Sequence, residues 1–237
     1  MSYTYTTYTA ALAELMVTTT TDADFIAIEP SIIDYAEQRL YRELDLLATV
    51  TRDSAPLAAN NRNFTFPTNN GRFVVANGIN VITPSSQTVP DNGARHPLTA
   101  TSRDALDLLW PSATGATVPT LFAPITDQTI IVGPWPDAGY TVEVIGFIRP
   151  APLSATNTST FLTLYLPDLF LAASMIFASG FQKNFGAQSD DPQMAQSWEG
   201  QYNKLFASAN VEENRRKWAA GGWSSQQPTP LATPATR

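Results

Sequence analysis

The clearest hydrophobic pattern in the chain is Ile33, Ala36, Leu40, Leu44 and Leu47, which step by three or four residues, with Asp34, Gln38, Arg42 and Asp45 falling on the other side. That spacing predicts a one-sided helix. Upstream, Tyr8–Val17 reads as a shorter amphipathic helix with Leu12 and Leu15 on one face. Asp22 or Asp24 is placed to cap a helical turn over Phe25–Ile28, and Pro30 then fits a first helical turn.

From Ala48 the period changes. Thr49–Arg52 and Asn63–Phe66 read as short strands, and Phe73–Ala76 and Ile79–Thr83 flank Asn77-Gly78, a dipeptide suited to a tight hairpin. Pro84–Gly93 is a polar loop. Arg95–Ala100 reads as a further strand that Pro97 confines to an edge. Ser102 caps a short helix, Arg103–Trp110, stopped by Pro111. Three β-branched runs follow, Thr120–Ala123, Thr129–Val132 and Thr141–Ile148, and predict a meander interrupted by the loop Gly133-Pro134-Trp135-Pro136-Asp137-Ala138-Gly139.

Helices then return. Asp168–Lys183 is apolar nearly all round and predicts a helix covered on several sides. Asp191-Pro192 starts another, with Met194, Trp198, Tyr202 (or Gln201), Leu205 and Ala209 on one side. Glu212 with Arg216 and Glu213 with Lys217 form i,i+4 pairs worth ~0.2–0.5 kcal/mol each, enough to extend that helix. The layout predicts an α+β fold: a discontinuous helical bundle, 1–48 and 160–220, an inserted antiparallel β-rich domain with one short helix, 49–159, and an extended Pro/Thr-rich tail, 221–237.

Composition sharpens this picture. Charged residues make up 15% of the 237 positions, well below the usual quarter, and 18 prolines with many Thr, Ser, Asn and Gln take their place. Such a mixture suits strands, turns and uncharged contact surfaces. A formal charge of −7 argues against a surface that grips nucleic acid by its phosphates. The absence of cysteine excludes disulfides and thiolate chemistry, and a single histidine, His96, excludes a multi-histidine metal site. The N-terminal stretch lacks a basic segment followed by an apolar run, so it does not read as a secretory signal. Phe161–Phe181 is interrupted by Pro167 and Asp168 and falls short of the ~20 apolar residues of a bilayer span. No membrane association is expected.

No nucleophile elbow, phosphate loop, dinucleotide fingerprint or calcium loop occurs, so catalytic, cofactor-binding and metal residues are expected to be none. His96 sits beside Pro97 in an edge segment, poorly placed for a Ser-His-Asp arrangement. The acidic pairs Asp22/Asp24 and Asp190/Asp191 lie where helix caps are needed. Trp135 is suited to stack on a sugar, to pack on its own sheet or to meet a neighbouring subunit. Arg215, Arg216 and Lys217 at a helix end complement the macrodipole and are also placed to bind a partner. Trp218 and Trp223 beside a Gly-Gly break are suited to anchor a partner, or, for Trp218, to fold back on the bundle.

The ordered elements resemble one family, the head-to-tail connector or adaptor proteins of tailed bacteriophages. AIEPSIIDYAEQRLYRELDLL (27–47) is similar to the family's early helix, and HPLTATSRDALDLLWP (96–111) to the segment leading into a small helix. IIVGPWPDAGYTVEVIGFIRPAPLS (130–154) resembles its strand, Gly-Pro-x-Pro loop and following strand. FLTLYLPDLFLAASMIFASGF (161–181) resembles the return to helices. The resemblance implies a structural virion protein of the neck, not an enzyme, assembled in the host cytoplasm. It implies a homo-oligomeric ring, typically twelvefold, between the portal protein and the tail or neck proteins, with DNA passing through the channel without sequence-specific binding. It makes Arg215, Arg216, Lys217, Trp218 and Trp223 candidate portal or subunit contacts, and Trp135 with the β insertion candidate subunit or tail contacts. The alternative is a carbohydrate- or receptor-binding module of a phage tail, built on the same aromatic, strand-rich middle.

Overall fold

The computed structural model describes residues 2–181 and 192–218, without the side chains of Phe181, Pro192–Ala195 and Trp218. The chain divides into two compact units. A helical unit comprises the described residues up to Leu47 and those from Pro152 onward, and a β unit comprises Ala48–Ala151. Pro152–Ser159, which composition places with the strands, therefore groups with the helices.

In the helical unit, α1 spans Tyr5–Leu15, three residues earlier than the apolar pattern indicates. Thr4 and Thr7 form a reciprocal capping box that starts it there. Its buried residues are Tyr8, Thr9, Leu12 and Ala13, whereas Leu15 is exposed. The second helix, α2, runs unbroken over Ala23–Glu43. Asp22 caps it, its Oδ1 accepting from the N–H groups of Asp24 and Phe25 at 2.9 and 3.0 Å. Pro30 lies well inside α2 and not in a first turn. Proline removes one i→i−4 bond, here to the carbonyl of Ile26, a residue exposed to solvent. Ile33, Ala36 and Leu40 are buried as their spacing requires. The helix stops at Glu43, so the stripe slips: Leu46 is fully buried and Leu47 is exposed in a 3-10 turn.

After the β unit come α4, Phe161–Tyr165, and α5, Pro167–Phe181. Leu169, Phe170, Ala172, Ala173, Met175 and Ala178 are all buried, and α5 packs on α1, α2, α4 and the last helix, α6, Pro192–Trp218. Tyr202 and Ala209 of α6 are buried, with Trp198 and Leu205 partly so. Met194 and Asp191 lie outside the described side chains and residues. Among the described residues no helix is long and apolar enough to cross a membrane.

The β unit holds two four-stranded sheets. The first has the order β1 (Val50–Leu57), β8 (Tyr140–Arg149), β3 (Arg72–Thr83) and β4 (Ala94–Pro97), all antiparallel. The second has the order β2 (Asn63–Thr65), β7 (Thr129–Gly133), β6 (Leu121–Pro124) and β5 (Thr99–Ala100), with β5 and β6 parallel. A shared core lies between them, with Phe73, Val81, Val142 and Val144 from one sheet and Phe64, Ile130 and Val132 from the other. The helix α3, Arg103–Leu109, covers the outer face of the second sheet, Leu106 packing with Ala123 and Ile131. Ser102 caps it, its Oγ accepting from Ala105 N–H at 3.2 Å.

Two expectations fail here. Asn77-Gly78 is not a hairpin turn but part of a single strand, β3, and neither residue has positive φ. Pairing slips at Phe73/Val75 and Ala76/Gly78, so the dipeptide is absorbed at bulges. The long partner β8 makes ladder pairing and burial of Phe73, Ile79 and Val81 available on both sides, which outweighs a local turn preference. Gly146 of β8 lies opposite: a Cβ there would come 2.0 Å from the Val75 carbonyl oxygen, so only glycine fits. Nor do the last three strands form a meander. β6 and β7 pair, but β8 crosses to the first sheet between β1 and β3. The loop 134–139 is the crossing.

Candidate interaction surfaces

At the C-terminal end of α6 the cationic cluster is largely committed within its own unit. Arg216 donates to Glu213 Oε1 at 2.7 Å and pairs with Glu212, and its Cζ lies 5.5 Å from the ring centre of Phe161 and 6.0 Å from that of Tyr165. Lys217 pairs with Asp45 instead of the expected Glu213. Glu213, 2% exposed, accepts instead from Leu47 N–H at 3.1 Å and from Arg216 Nη1 at 2.7 Å. Arg215 is exposed and makes no ion pair with any described residue. Trp218 is the last residue of α6. Its side chain and the whole of Trp223 lie outside the described residues.

Trp135 is half-buried in the crossing loop and held from three directions. Its indole Nε1 donates to the Trp110 carbonyl at 3.0 Å, its own carbonyl accepts from Thr117 N–H at 2.8 Å, and Arg62 Cζ lies 5.3 Å from its ring centre. The next residues are fixed as well: Pro136 O accepts from Asn60 N–H at 2.8 Å, and Tyr140 OH donates to Asp137 Oδ1 at 2.7 Å. Burial and the neighbouring Asp137 push the Tyr140 phenol up to about 12. Gly133 lets α3 approach this loop, since a Cβ there would lie 2.7 Å from Leu106 Cδ2 and 2.9 Å from Trp110 Cε3.

Three polar constellations carry no motif in the sequence. On the first sheet, Glu143 is fully buried and accepts from Arg95 Nε at 2.9 Å and Asn80 Nδ2 at 3.0 Å, with Arg52 Nε 3.5 Å away. Asp91 in the polar loop bridges the same two arginines at 2.8 and 2.7 Å. Burial raises the Glu143 carboxyl, but these donors outweigh it and leave it lowered. The hydrogen bonds from Arg52 and Arg95 hold Asp91 down at about 2. Thr141 Oγ1 donates to Gln87 O at 2.9 Å and fastens the same loop.

In the helical unit, Arg39 joins α2 to α6. Its Nη1 donates to Glu199 at 2.8 Å, its Nε to Glu43 at 3.0 Å, and its Cζ lies 4.2 Å from the Tyr202 ring centre. Tyr202 OH donates to Glu43 at 2.6 Å. A groove of about 710 Å3 opens beside this network, lined by charged residues of α2 with Phe177 and Glu199. The third constellation centres on Glu37, 4% exposed and bonded to the Leu153 backbone. A polar residue on a buried helix face contradicts the periodic pattern, and that contradiction was the available signal for Glu37.

His96 Nε2 on the edge strand β4 and Thr83 Oγ1 at the end of β3 lie 2.8 Å apart, His96 exposed and Thr83 half-buried. Asp22 is the α2 cap, and Asp190 and Asp191 fall outside the described residues. Among the described residues no group of three or more His, Asp or Glu side chains is placed to hold a metal ion.

The chain matches the SU10 adaptor protein family over residues 3–229, across both units, and belongs to that family. The family suggests a structural adaptor protein of a bacteriophage, a component of the virion that interacts with other head and tail proteins, and a role other than catalysis. No curated protein matches the chain.

Proposed function

We propose that the protein is a head-to-tail adaptor that forms a homo-oligomeric ring, of about a dozen copies, between the portal and the tail, and lines the DNA channel. The observation that carries this reading is the family match, which spans the helical unit and the β unit together. Two physical features support it. A formal charge of −7 leaves each subunit without the cationic excess that would retain passing DNA. The end of α6, where Arg215 is exposed and Trp218 begins the segment leading to Trp223, serves as the portal contact, and the β unit meets neighbouring subunits or tail proteins. Assembly takes place in the host cytoplasm before the protein enters the neck of the virion.

Against the carbohydrate-binding alternative, the Trp135 indole N–H and one approach to its ring are taken up by Trp110 and Arg62.

Native mass spectrometry of the purified protein, alone and mixed with the portal of its own phage, tests the proposal. Joining the portal as a ring of about a dozen copies is the expected result. Failure to associate with the portal overturns it. Alanine at both Trp218 and Trp223 is expected to weaken portal binding, and unchanged binding overturns the assignment of that contact.

A further inference from the structure

The short helix α4 buries Leu162 and Thr163 and places Phe161, Leu164 and Tyr165, at i, i+3 and i+4, on its other side. Leu164 is 42% and Tyr165 61% exposed. The Phe161 and Tyr165 rings lie 4.9 Å apart, and Arg216 of α6 reaches both, its Cζ 5.5 and 6.0 Å from their centres. Glu212 and Glu213 hold Arg216 in that position. The outer face of α4 is thus an apolar, aromatic step with a fixed cation at its edge. Exposed side chains of these types mark contact sites.

The chain itself indicates what covers this step. Helix α6 ends at Trp218, two residues beyond Arg216, so the chain leaves the helix beside α4. The residues that follow, 219–237, lie outside those described. From 219 to 236 they carry no charge, and their large apolar side chains are Trp223 and Leu231. Gly221-Gly222 stands between Trp218 and Trp223, and glycine admits the positive φ that a tight reversal requires. Five residues span at most ~17 Å, which confines Trp223 to the end of α6 and the elements packed there. A tether this short gives an effective concentration on the order of millimolar, which a second copy in dilute solution does not match.

We propose that the outer face of α4 is the docking site of this chain's own C-terminal segment, with Trp223 resting on Tyr165 and Leu164 beside Arg216. The contact withholds Trp223 from other molecules while the subunit is free. Under the adaptor reading above, on which only this consequence rests, the portal competes with α4 for Trp223.

The chain has no cysteine, so Ser225→Cys in the full-length protein carries a single spin label two residues past Trp223. The test records amide signals of the isotope-labelled protein by NMR. Broadening of the signals from 161–165 is expected, together with its loss when Trp223→Ala, Tyr165→Ser or Leu164→Ser is added. Both α4 positions are exposed, so these substitutions leave the core intact. Signals of 161–165 that stay sharp overturn the proposal, as does broadening that survives Trp223→Ala. A mixture of isotope-labelled chains without the spin label and spin-labelled chains without the isotope identifies the donor. Broadening in that mixture makes a second copy the occupant and overturns docking within one chain. Portal binding supplies a readout that a merely structural role of Tyr165 does not move in this direction. Tyr165→Ser frees Trp223 and is expected to tighten portal binding about threefold or more, because a larger fraction of the protein is competent to bind. Unchanged or weakened binding overturns the competition. Wild-type protein that ignores the portal overturns the adaptor reading itself and leaves the broadening result standing.

Discussion

Glu37 of α2 accepts a hydrogen bond at 2.9 Å from the backbone N–H of Leu153, 116 residues further along the chain. This contact, with the Leu153 side chain buried in the helical core, holds the point where the chain re-enters the helical unit. Burial pushes the Glu37 carboxyl up to about 7, the Leu153 N–H works against that rise, and the charge of Asp34 adds to it. The ordinary value is 4.5, so between pH 4.5 and 7 the folded protein holds a proton that the unfolded chain releases. The stability from this group is complete below pH 4.5 and is lost as pH rises through 7.

Glu37→Gln retains the acceptor for Leu153 and removes the titration. It is expected to stabilise the protein at pH 8 by on the order of 1–3 kcal/mol and to flatten the profile between pH 5 and 8. Glu29, also raised chiefly by burial, keeps a smaller dependence of the same sign in the variant. Denaturation midpoints across that range check this, and parallel profiles for the two proteins contradict it.

The Arg39–Glu199 fork is the second test. Arg39 is 18% exposed, so Arg39→Ala leaves Glu199, Glu43 and the Tyr202 ring without their shared partner and is expected to cost about 1–3 kcal/mol. Arg39→Lys is expected to recover little of this, since a lysine cannot reproduce the planar fork. A double-mutant cycle with Glu199→Gln measures the pair's coupling, and a coupling near zero refutes the assignment.

Gly133→Ala places a methyl group against Leu106 and Trp110. Overpacking of this kind costs about 1–3 kcal/mol. The variant is expected to shift α3 away from the second sheet and to alter the Trp110 indole signal in NMR. An unperturbed signal and midpoint would show that α3 adjusts freely.

How much of this could be read in the chain varies with the kind of information each element uses. Ile33, Ala36 and Leu40 declare α2 because a helix buries every third or fourth residue, a local property. Leu44 to Leu47 mislead because the same apolar residues continue after the hydrogen-bonded turns stop. Asn77-Gly78 is a sound local turn signal overruled by a partner strand more than sixty residues away. The meander fails for the same reason: the strands β6, β7 and β8 are legible in the sequence, but which sheet each joins is not. Trp135 and the α6 cations stand out by residue type. Arg62, whose guanidinium lies beside Trp135, has no neighbour pattern that distinguishes it from any loop arginine.

The three cations at the end of α6 divide by role. Arg216→Ala breaks the contacts with Glu213, Phe161 and Tyr165 and is expected to lower stability by about 1–2 kcal/mol. Lys217→Ala is expected to change it by less than about 1 kcal/mol, as its partner Asp45 is 68% exposed. Arg215→Ala is expected to leave stability unchanged and to weaken binding to the portal. Denaturation midpoints together with portal binding for the three variants check this division, and a stability loss at Arg215 contradicts it.

The division of the helical unit on either side of the β unit has a consequence for synthesis. A ribosome releases Ile33, Ala36 and Leu40 of α2 long before it makes α5 and α6, which cover them. At ~5–20 residues per second the gap of Ala48–Ala151 alone lasts roughly five to twenty seconds. The β unit has all its strands in one continuous stretch and is complete first. During that interval the apolar face of α2 is uncovered on a nascent chain, the kind of surface that chaperones hold.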